Sequence, residues 1–541
     1  MRPRDFARLD GTYDVVVIGG GIQGLACAYD VASRGLRVAL VEAQDFGSAT
    51  SFNHQKTAHG GLRSLGAGQL GRARESIRER RTLARIAPWF LRPLPFLIGT
   101  YRSATKNRLA LRAAFKLDAW MGRRRNDGVE PELHLPTPRL VSKAATLRLF
   151  AGVRPEHLTG GAQWYDYQMV EADRLTLAFA FAADRAGADL VNYAEAVEAI
   201  REGGRITGIA VRDGLTGGSA TIRARVTINA AGSRAGEIMR LFGAERPFPL
   251  LKAMNLVTSK PASDMALGAP APNGRMLTLV PWRGRALVGT SQSPAFVQPG
   301  DTAVHASEID ALIADANHAF PALKLSRGDI TLVHRGIVPA VSGRGGVAEL
   351  KSSAEIIDHT GEGAAGAITV VAVKYTTARG VAERVGHLVG KRLGRRLPSS
   401  RTALAPLPGA GIADHEALAI ETARDLRVDV PLPTLRHLIR LYAGGAADVI
   451  RIMCERDDLR APVGGGVDTI GAEVVHAIRH EMACRLSDIV IRRTGLGSAG
   501  PPSADAIASC GRIAAAELGW DDARVSEEVA LTGRVYEIRG S

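Results

Sequence analysis

At 541 residues, the chain has material for about three to four domains of roughly 150 residues each, which excludes a peptide or a disordered tail. Hydrophobic residues make up 46% and charged residues 23%, ordinary globular usage that excludes fibrous, mucin-like and disordered classes. Lys and Arg number 69 against 55 Asp and Glu, a net charge of +14, which favours anionic partners such as phosphorylated metabolites, acidic lipid or nucleic acid without choosing among them.

The N-terminal stretch Met1 to Gly11 lacks the apolar run of a signal peptide. No segment approaches the roughly 20 apolar residues of a membrane span. Cys27, Cys454, Cys484 and Cys510 lie far apart with no CxxC pair, so neither a zinc site nor a disulfide framework is expected, and a reducing cytoplasm is the simplest location. Apolar runs at Asp14–Ile18 and Arg37–Val41 flank a Gly-rich turn and an apolar stretch of helical length, which predicts one βαβ unit. The turn, Gly19-Gly20-Gly21-Ile22-Gln23-Gly24, fits G-x-G-x-x-G. Gly19 permits the tight turn, Gly21 lets the backbone approach a pyrophosphate, Gly24 lets helix and strand pack closely, and the helix N-terminus favours the phosphate charge. Glu42 ends the next strand, where a carboxylate accepts bonds from the adenosine ribose. A Gly-rich turn in an unrelated sheet is the competing reading, disfavoured because strand, helix and acid stand in register. The fingerprint signals a dinucleotide but does not separate NAD from FAD.

Ser48-Ala49-Thr50-Ser51, Lys56 and His59-Gly60-Gly61-Leu62-Arg63 follow, a polar, glycine-rich segment suited to wrapping phosphates and an isoalloxazine ring. From Thr105 to Arg125, Leu109, Ala113, Leu117, Trp120 and Met121 form an apolar helical stripe among Arg108, Arg112, Lys116 and Arg123 to Arg125. Such a helix either lies in an anionic membrane surface or packs on the domain core. Short strands are expected at Ala188–Tyr193, Ile206–Arg212, Ala220–Ala224 and Val226–Ala230, and an antiparallel pair at Met276–Pro281 and Ala286–Thr290 around Arg283 and Gly284. Beyond the Pro- and Gly-bearing stretch Leu404 to Ala410, helical patterns take over. The clearest runs through Val474, Ile478, Met482, Leu486 and Ile489 along one face. No recognised nucleic-acid-binding module accompanies the basic charge.

The ordered motifs resemble the FAD-dependent glycerol-3-phosphate dehydrogenases, within the D-amino-acid-oxidase-like flavoproteins. They are the fingerprint, Lys56 to Arg63, Arg85-Ile-Ala-Pro88 with Arg92-Pro-Leu-Pro-Phe96, Tyr165-Asp-Tyr-Gln168 with Asp173-Arg174-Leu175, Asn229-Ala-Ala-Gly232, Lys374-Tyr-Thr-Thr377 and the segment Glu473 to Met482. The resemblance implies an α/β fold: a Rossmann-type FAD-binding domain over 12–235 and 340–400 with a basic helical insertion at about 65–150, an α+β substrate domain with an antiparallel sheet over 236–340, and a helical C-terminal domain over 405–541. It implies hydride transfer from a secondary alcohol carbon to flavin, with electrons passing to quinone or another acceptor; in that chemistry the protein must bind, orient and deprotonate. Gly19, Gly21, Gly24 and Glu42 would hold the ADP half, and Ser48, Thr50, Ser51 and Lys56 the pyrophosphate and its surroundings. His59, Gly60, Gly232, Lys374 and Thr376 would line the region near ribityl and ring. No metal is implied.

The substrate residues depart from the family pattern. Arg63 and Lys374 are kept, but Ser64 replaces a tyrosine, and Ala372 and Val373 replace two glycines. Asn255 stands at the family histidine position and cannot act as a base near pH 7. Val338 stands at one family arginine, and Ser352 or Ser353 near the other; arginine forks suit a phosphate dianion. Arg335, Arg344 and Lys351 are substitutes from shifted positions or else solvated charges, and His59 and His334 are structural groups or bases. The first reading is therefore oxidation of glycerol-3-phosphate or a related polyol phosphate or hydroxy compound, with Arg63, Lys374 and Asn255 at the reacting position. The alternatives are a flavin enzyme for an unphosphorylated hydroxy or amino acid, and a non-catalytic flavin-binding redox partner. Expected partners are an anionic small-molecule substrate, quinone and an anionic membrane surface, which would place the protein on the inner face of the cytoplasmic membrane; a homodimer is compatible with the sequence, and no nucleic acid is expected.

Overall fold

The computed structural model describes residues 1–62, 69–102, 108–412 and 414–538, the side chains of 108–110 and 344 excepted. The chain divides into two compact units, one made of Met1–Phe52, Glu171–Pro249 and Lys351–Val535, the other of Asn53–Val170, Leu250–Leu350 and Tyr536–Ser541.

The first unit is built on an eight-stranded sheet. Its centre is parallel: Gly11–Ile18 lies between Val38–Val41 and Ser219–Asn229, with Val15 opposite Val38 and Val17 opposite Ile228. Ala367–Val371 extends the sheet beside Ser219–Asn229, and Asp189–Val191 beside Val38–Val41. These strands are continuous apolar runs because both of their faces are covered. The helix Ile22–Ser33 is almost wholly buried. Two of the expected strands, Ala220–Ala224 and Val226–Ala230, are one strand, Ser219–Asn229. Its first half alternates exposed and buried residues and its second half is buried throughout.

The C-terminal part of this unit is helical, as expected. The apolar stripe from Val474 to Ile489 does not ride on a single helix, however: Gly471–Glu481 ends where Met482 turns left-handed (φ 55°), and a separate turn follows at Asp488–Arg493. The Asp488 carboxylate, accepting from Cys484 N–H and Arg485 N–H at 3.0 Å each, satisfies the amides freed by that break.

The second unit holds a ten-stranded, mostly antiparallel sheet. The segment read as an insertion into the FAD-binding domain belongs here, since Leu91–Tyr101 pairs with Leu158–Met169 along its length. The expected hairpin forms between Met276–Trp282 and Arg285–Gln292, with Arg283 (φ 49°) and Gly284 (φ 72°) both left-handed, as a two-residue turn requires. The helix Ala306–Ala319 covers one face of the sheet, where Ile309, Leu312 and Ala316 cluster with Met254, Leu256, Leu279, Val288 and Val333. Side chains alternate along a strand, so Asn255, Thr278, Trp282 and His334 share the opposite face.

Candidate active site

In the first unit the fingerprint makes a cradle with the three glycines in distinct roles. Gly19 has φ 108°, and a Cβ there would stand 2.5 Å from Ala230 O; a Cβ on Gly24 would stand 1.8 Å from Gly19 O. Both glycines are demanded by the fold itself. A Cβ on Gly21 would meet only Ser51 Oγ, at 3.2 Å. Nothing else among the described residues fills that space, so a ligand can approach the backbone there. Ser51 Oγ accepts from Ile22 N–H at 3.0 Å, which leaves its own proton free to point at an anion at the helix N-terminus.

Glu42 accepts from Gly20 N–H at 2.6 Å and from Gln44 N–H at 2.8 Å. Burial pushes its carboxyl above the usual range while these two amides pull it back, and each oxygen keeps a second lone pair for a ribose hydroxyl. Ser48 and Thr50 follow on the same loop, the Ser48 hydroxyl donating to Gln44 Oε1 at 3.3 Å. On the far side of the strand Gly11–Ile18, Asn229 accepts from Ala231 N–H at 3.2 Å and donates to Ala235 O at 2.9 Å, shaping a turn that ends at Gly232 (φ 58°), beside which space is open. Lys374 is tied to the fingerprint helix by Gln23 Nε2, which donates to Lys374 O at 3.2 Å. Thr376 is buried two residues on, and the Tyr375 hydroxyl pairs with Thr176 at 2.8 Å. Gly19, Gly21, Gly24, Glu42, Ser51, Gly232 and the Lys374 backbone are thus gathered around one strand end, and the groups present fit an ADP-containing cofactor.

In the second unit, Lys56 (φ 54°) is fully buried, with Nζ 5.2 Å from the Trp282 ring centre. The strand Thr57–Ala58 that follows pairs with Tyr167 and Gln168 and delivers His59 and Gly60 to Asp166. Asp166, noted in the sequence only as part of the Tyr165–Gln168 motif and given no role there, organises this turn. It accepts from Gly60 N–H at 2.7 Å and from Trp164 Nε1 at 3.2 Å, and faces His59 Nδ1 at 3.2 Å. Arg80 forms a buried ion pair with it and donates to Tyr165 O at 2.9 Å. Burial alone would raise the Asp166 carboxyl; Arg80, His59 and the Gly60 amide outweigh it and hold it below the usual carboxylate range. His59 Nε2 meets the Thr57 hydroxyl at 2.8 Å, and the imidazole is half exposed. Arg63 lies outside the described residues.

On the sheet, Asn255 is paired directly opposite His334, and Leu251 opposite Val338, so Asn255, His334 and Val338 share one face. The Asn255 carbonyl accepts from the Thr290 hydroxyl at 2.7 Å. His334 is fully buried against Trp282, and burial, with Lys56 and His54 nearby, drives its imidazole well below its ordinary pKa. Arg335 is opposite Met254 and therefore on the helix-covered face, while Lys351 is in an ion pair with Glu355 at 3.0 Å. Arg335 therefore does not lie beside Asn255 on its face of the sheet.

The basic helix runs from Arg108 to Met121. It buries Phe115 and Asp118, the latter 3.2 Å from Arg125, and exposes Arg112, Lys116, Leu117 and Trp120, the indole at 56%. Ala113, Leu117 and Trp120 of the stripe read from sequence are therefore outside, not in the core. No described helix is long and apolar enough to cross a membrane.

The family described as FAD dependent oxidoreductase matches residues 14–379, and the C-terminal domain of alpha-glycerophosphate oxidase matches residues 400–525. The chain is 32% identical to a glycerol-3-phosphate dehydrogenase of Synechocystis over 513 residues, covering 91% of this chain and 90% of the relative. It is 30% identical to glycerol-3-phosphate dehydrogenase 2 of Mycobacterium tuberculosis over 531 residues, covering 96% and 87%. The fold matches the glycerol-3-phosphate dehydrogenase of Bacillus halodurans, solved with FAD, at a TM-score of 0.75 and 22% identity over 98% of this chain and 95% of that one.

Proposed function

The chain belongs to the FAD-dependent glycerol-3-phosphate dehydrogenase family, and we propose that it oxidises the secondary alcohol of glycerol-3-phosphate or a closely related polyol phosphate, passing the electrons on to quinone or another acceptor. The observation that carries this reading is the cradle in which Gly21 leaves open space beside a helix N-terminus while Glu42 stands ready for ribose hydroxyls. FAD, when bound, supplies the electron sink for the hydride leaving the carbinol carbon.

The remaining work falls to side chains. As the C–H bond is lost, the hydroxyl proton must go to a base, and Asn255 cannot take it. His59 can. With Nδ1 turned to the ionised Asp166, the imidazole keeps its proton on that nitrogen and presents the Nε2 lone pair toward the Thr57 hydroxyl. A substrate hydroxyl replacing that of Thr57 would hand its proton to Nε2, and Asp166 would stabilise the imidazolium so formed. Lys374 and Arg63 are assigned to the anionic end of the substrate.

A second reading, oxidation of an unphosphorylated hydroxy or amino acid, is favoured by Val338 and Asn255 sharing one face of the sheet while Arg335 turns to the other. Anaerobic mixing with glycerol-3-phosphate, glycerol, 2-hydroxy acids and amino acids, watching the flavin absorption bleach, distinguishes the two. Bleaching by hydroxy or amino acids alone overturns the first.

Peripheral binding to the cytoplasmic membrane is part of the proposal. It is supported by the exposed row of Arg112, Lys116, Leu117 and Trp120, in which an amphipathic aromatic ring accompanies basic charge. Such docking suits an enzyme whose electrons go to quinone.

A further inference from the structure

The loop after Glu42 lies directly on the fingerprint turn. Gly47 N–H donates to Gly20 O at 3.0 Å, and a Cβ on Gly20 would stand 2.7 Å from Phe46 and 2.8 Å from Glu42. The middle of this loop is held from the other end of the chain. Asp45, 1% exposed, receives a two-pronged contact from Arg493, 448 positions away, with Nη1 to Oδ2 at 2.8 Å and Nη2 to Oδ1 at 2.7 Å. Arg492 Nε adds a third bond to Oδ2 at 2.7 Å, and Asn192 Nδ2 a fourth to Oδ1 at 3.2 Å.

Both arginines are fixed in turn. Arg493 donates to Glu481 O at 3.0 Å, and Arg492 to Asp488 Oδ1 at 2.5 Å. The Tyr193 hydroxyl donates to that same oxygen at 2.8 Å, while Tyr193 N–H donates to Gln44 O at 2.9 Å, closing the circuit back onto the loop. Burial would raise the Asp45 carboxyl, but the two guanidinium groups hold it well below the usual range, so it stays an anion.

Buried ion pairs are poor glue, since apolar contacts of the same volume often stabilise as well or better. A planar fork does fix orientation, in a way an apolar contact does not. Here the orientation fixed is that of the loop carrying Glu42.

We propose that the Asp488–Arg493 turn of the C-terminal helical region is a clamp on the cofactor loop, in which Arg492 and Arg493 act through Asp45 as positioning residues that hold Glu42 in place for the FAD ribose. This depends on FAD binding at Glu42 and not on which alcohol is oxidised.

The test strips FAD from the full-length protein and titrates it back by flavin fluorescence, with melting of the apoprotein measured in parallel. Arg493→Lys and Arg492→Gln should each raise the FAD Kd at least tenfold. Arg479→Gln, which breaks C-terminal ion pairs with Glu455 and Glu517 that do not reach the loop, should leave it within twofold. In a Glu42→Gln background Arg493→Lys should add less than threefold, because the group it positions is already gone. A lower apoprotein melting temperature with unchanged Kd, or fully additive effects with Glu42→Gln, would overturn the clamp. Should Arg493→Lys fail to fold, Arg492→Gln, which keeps the fork, decides alone. Failure of the unmodified protein to take up FAD would instead sink the cofactor assignment.

Discussion

Two single-methyl substitutions on the same turn separate folding from cofactor binding. At Gly24 the added Cβ falls 1.8 Å from Gly19 O, a backbone atom anchored by Gly19 N–H donating to Val41 O at 2.8 Å. Relief requires the helix to move off the sheet. Overpacking of this kind costs about 1–3 kcal/mol and occasionally more, and a clash with fixed backbone belongs at the upper end, a large share of a total stability of about 5–15 kcal/mol. At Gly21 the backbone is extended (φ −73°, ψ 175°), a conformation any residue adopts, and its neighbour is a hydroxyl 3.2 Å away that can rotate. Exchanging glycine for alanine at a helix N-cap costs about 1 kcal/mol or less. On the proposed assignment, the new methyl occupies the approach of the pyrophosphate to the helix N-terminus. One lost charge-assisted hydrogen bond, about 1.5–3 kcal/mol, raises the FAD Kd by about ten- to a hundredfold at 1.4 kcal/mol per decade. Gly21→Ala should therefore yield a folded apoprotein with near-normal melting and weak FAD retention, and Gly24→Ala a protein that melts many degrees lower. Calorimetry of the stripped protein and FAD titration check both. A Gly21→Ala variant that binds FAD within threefold of the unmodified protein would refute the assignment of that space to the pyrophosphate.

Asp166→Asn should slow anaerobic flavin bleaching by about a hundredfold or more, with the pH dependence of the remaining rate altered because His59 loses its orienting anion; a change below threefold in stopped-flow would remove His59 from the proton path. His476 is buried and its pKa falls to about 4, burial being the main cause. Its folded pKa lies below the unfolded value of about 6.5, so the stability associated with the neutral ring is complete above pH 6.5 and is lost as pH falls toward 4, by up to about 3 kcal/mol. His476→Gln should flatten melting temperature against pH in that window, and an unchanged slope would contradict the burial argument. Binding to vesicles containing phosphatidylserine should fall steeply between low and 0.5 M salt, since exposed charges are screened over about 10 Å at 0.1 M. Arg112→Glu with Lys116→Glu should abolish it, and sedimentation indifferent to both would place the helix elsewhere than on lipid.

The parts of the fold that were legible in sequence are those written in local pattern. The fingerprint, its strands and the Arg283-Gly284 hairpin each depend on residues within a few positions of one another. Where the pattern misled, the environment changed inside one element. Ser219–Asn229 read as two strands because its first half pairs antiparallel with Arg205–Asp213 and its second half runs parallel beside Gly11–Ile18, so one strand carries two burial patterns. The stripe through Met482 kept a helical period across a left-handed break that hydrophobicity does not register. Asp166 with Arg80, and Asp45 with Arg493, were invisible for another reason. They are buried charges whose partners lie 86 and 448 positions away, and a lone Asp in sequence carries no mark of the arginine it will meet.

The substrate face turns on the two-residue period of a strand. Asn255 and Val338, the two positions read in the sequence as departures from the family pattern, lie far apart along the chain, yet the pairing of Asn255 with His334 and of Leu251 with Val338 brings both to one side of one sheet. Arg335, the nearest basic residue in sequence, is a single position from His334, and that one step turns it to the opposite side with Met254. A compensating cation at an odd offset along the same strand is therefore excluded by geometry, and it must come from another segment. Among the basic residues of the family motifs, Lys56 is buried against Trp282 on the face that carries Asn255, and Lys374 and Arg63 are the others proposed for the anion; on that proposal the loss of activity in Lys374→Ala should be greater for an anionic substrate than for a neutral alcohol of the same length. Equal losses for the two would mean that Lys374 acts on the cofactor region alone.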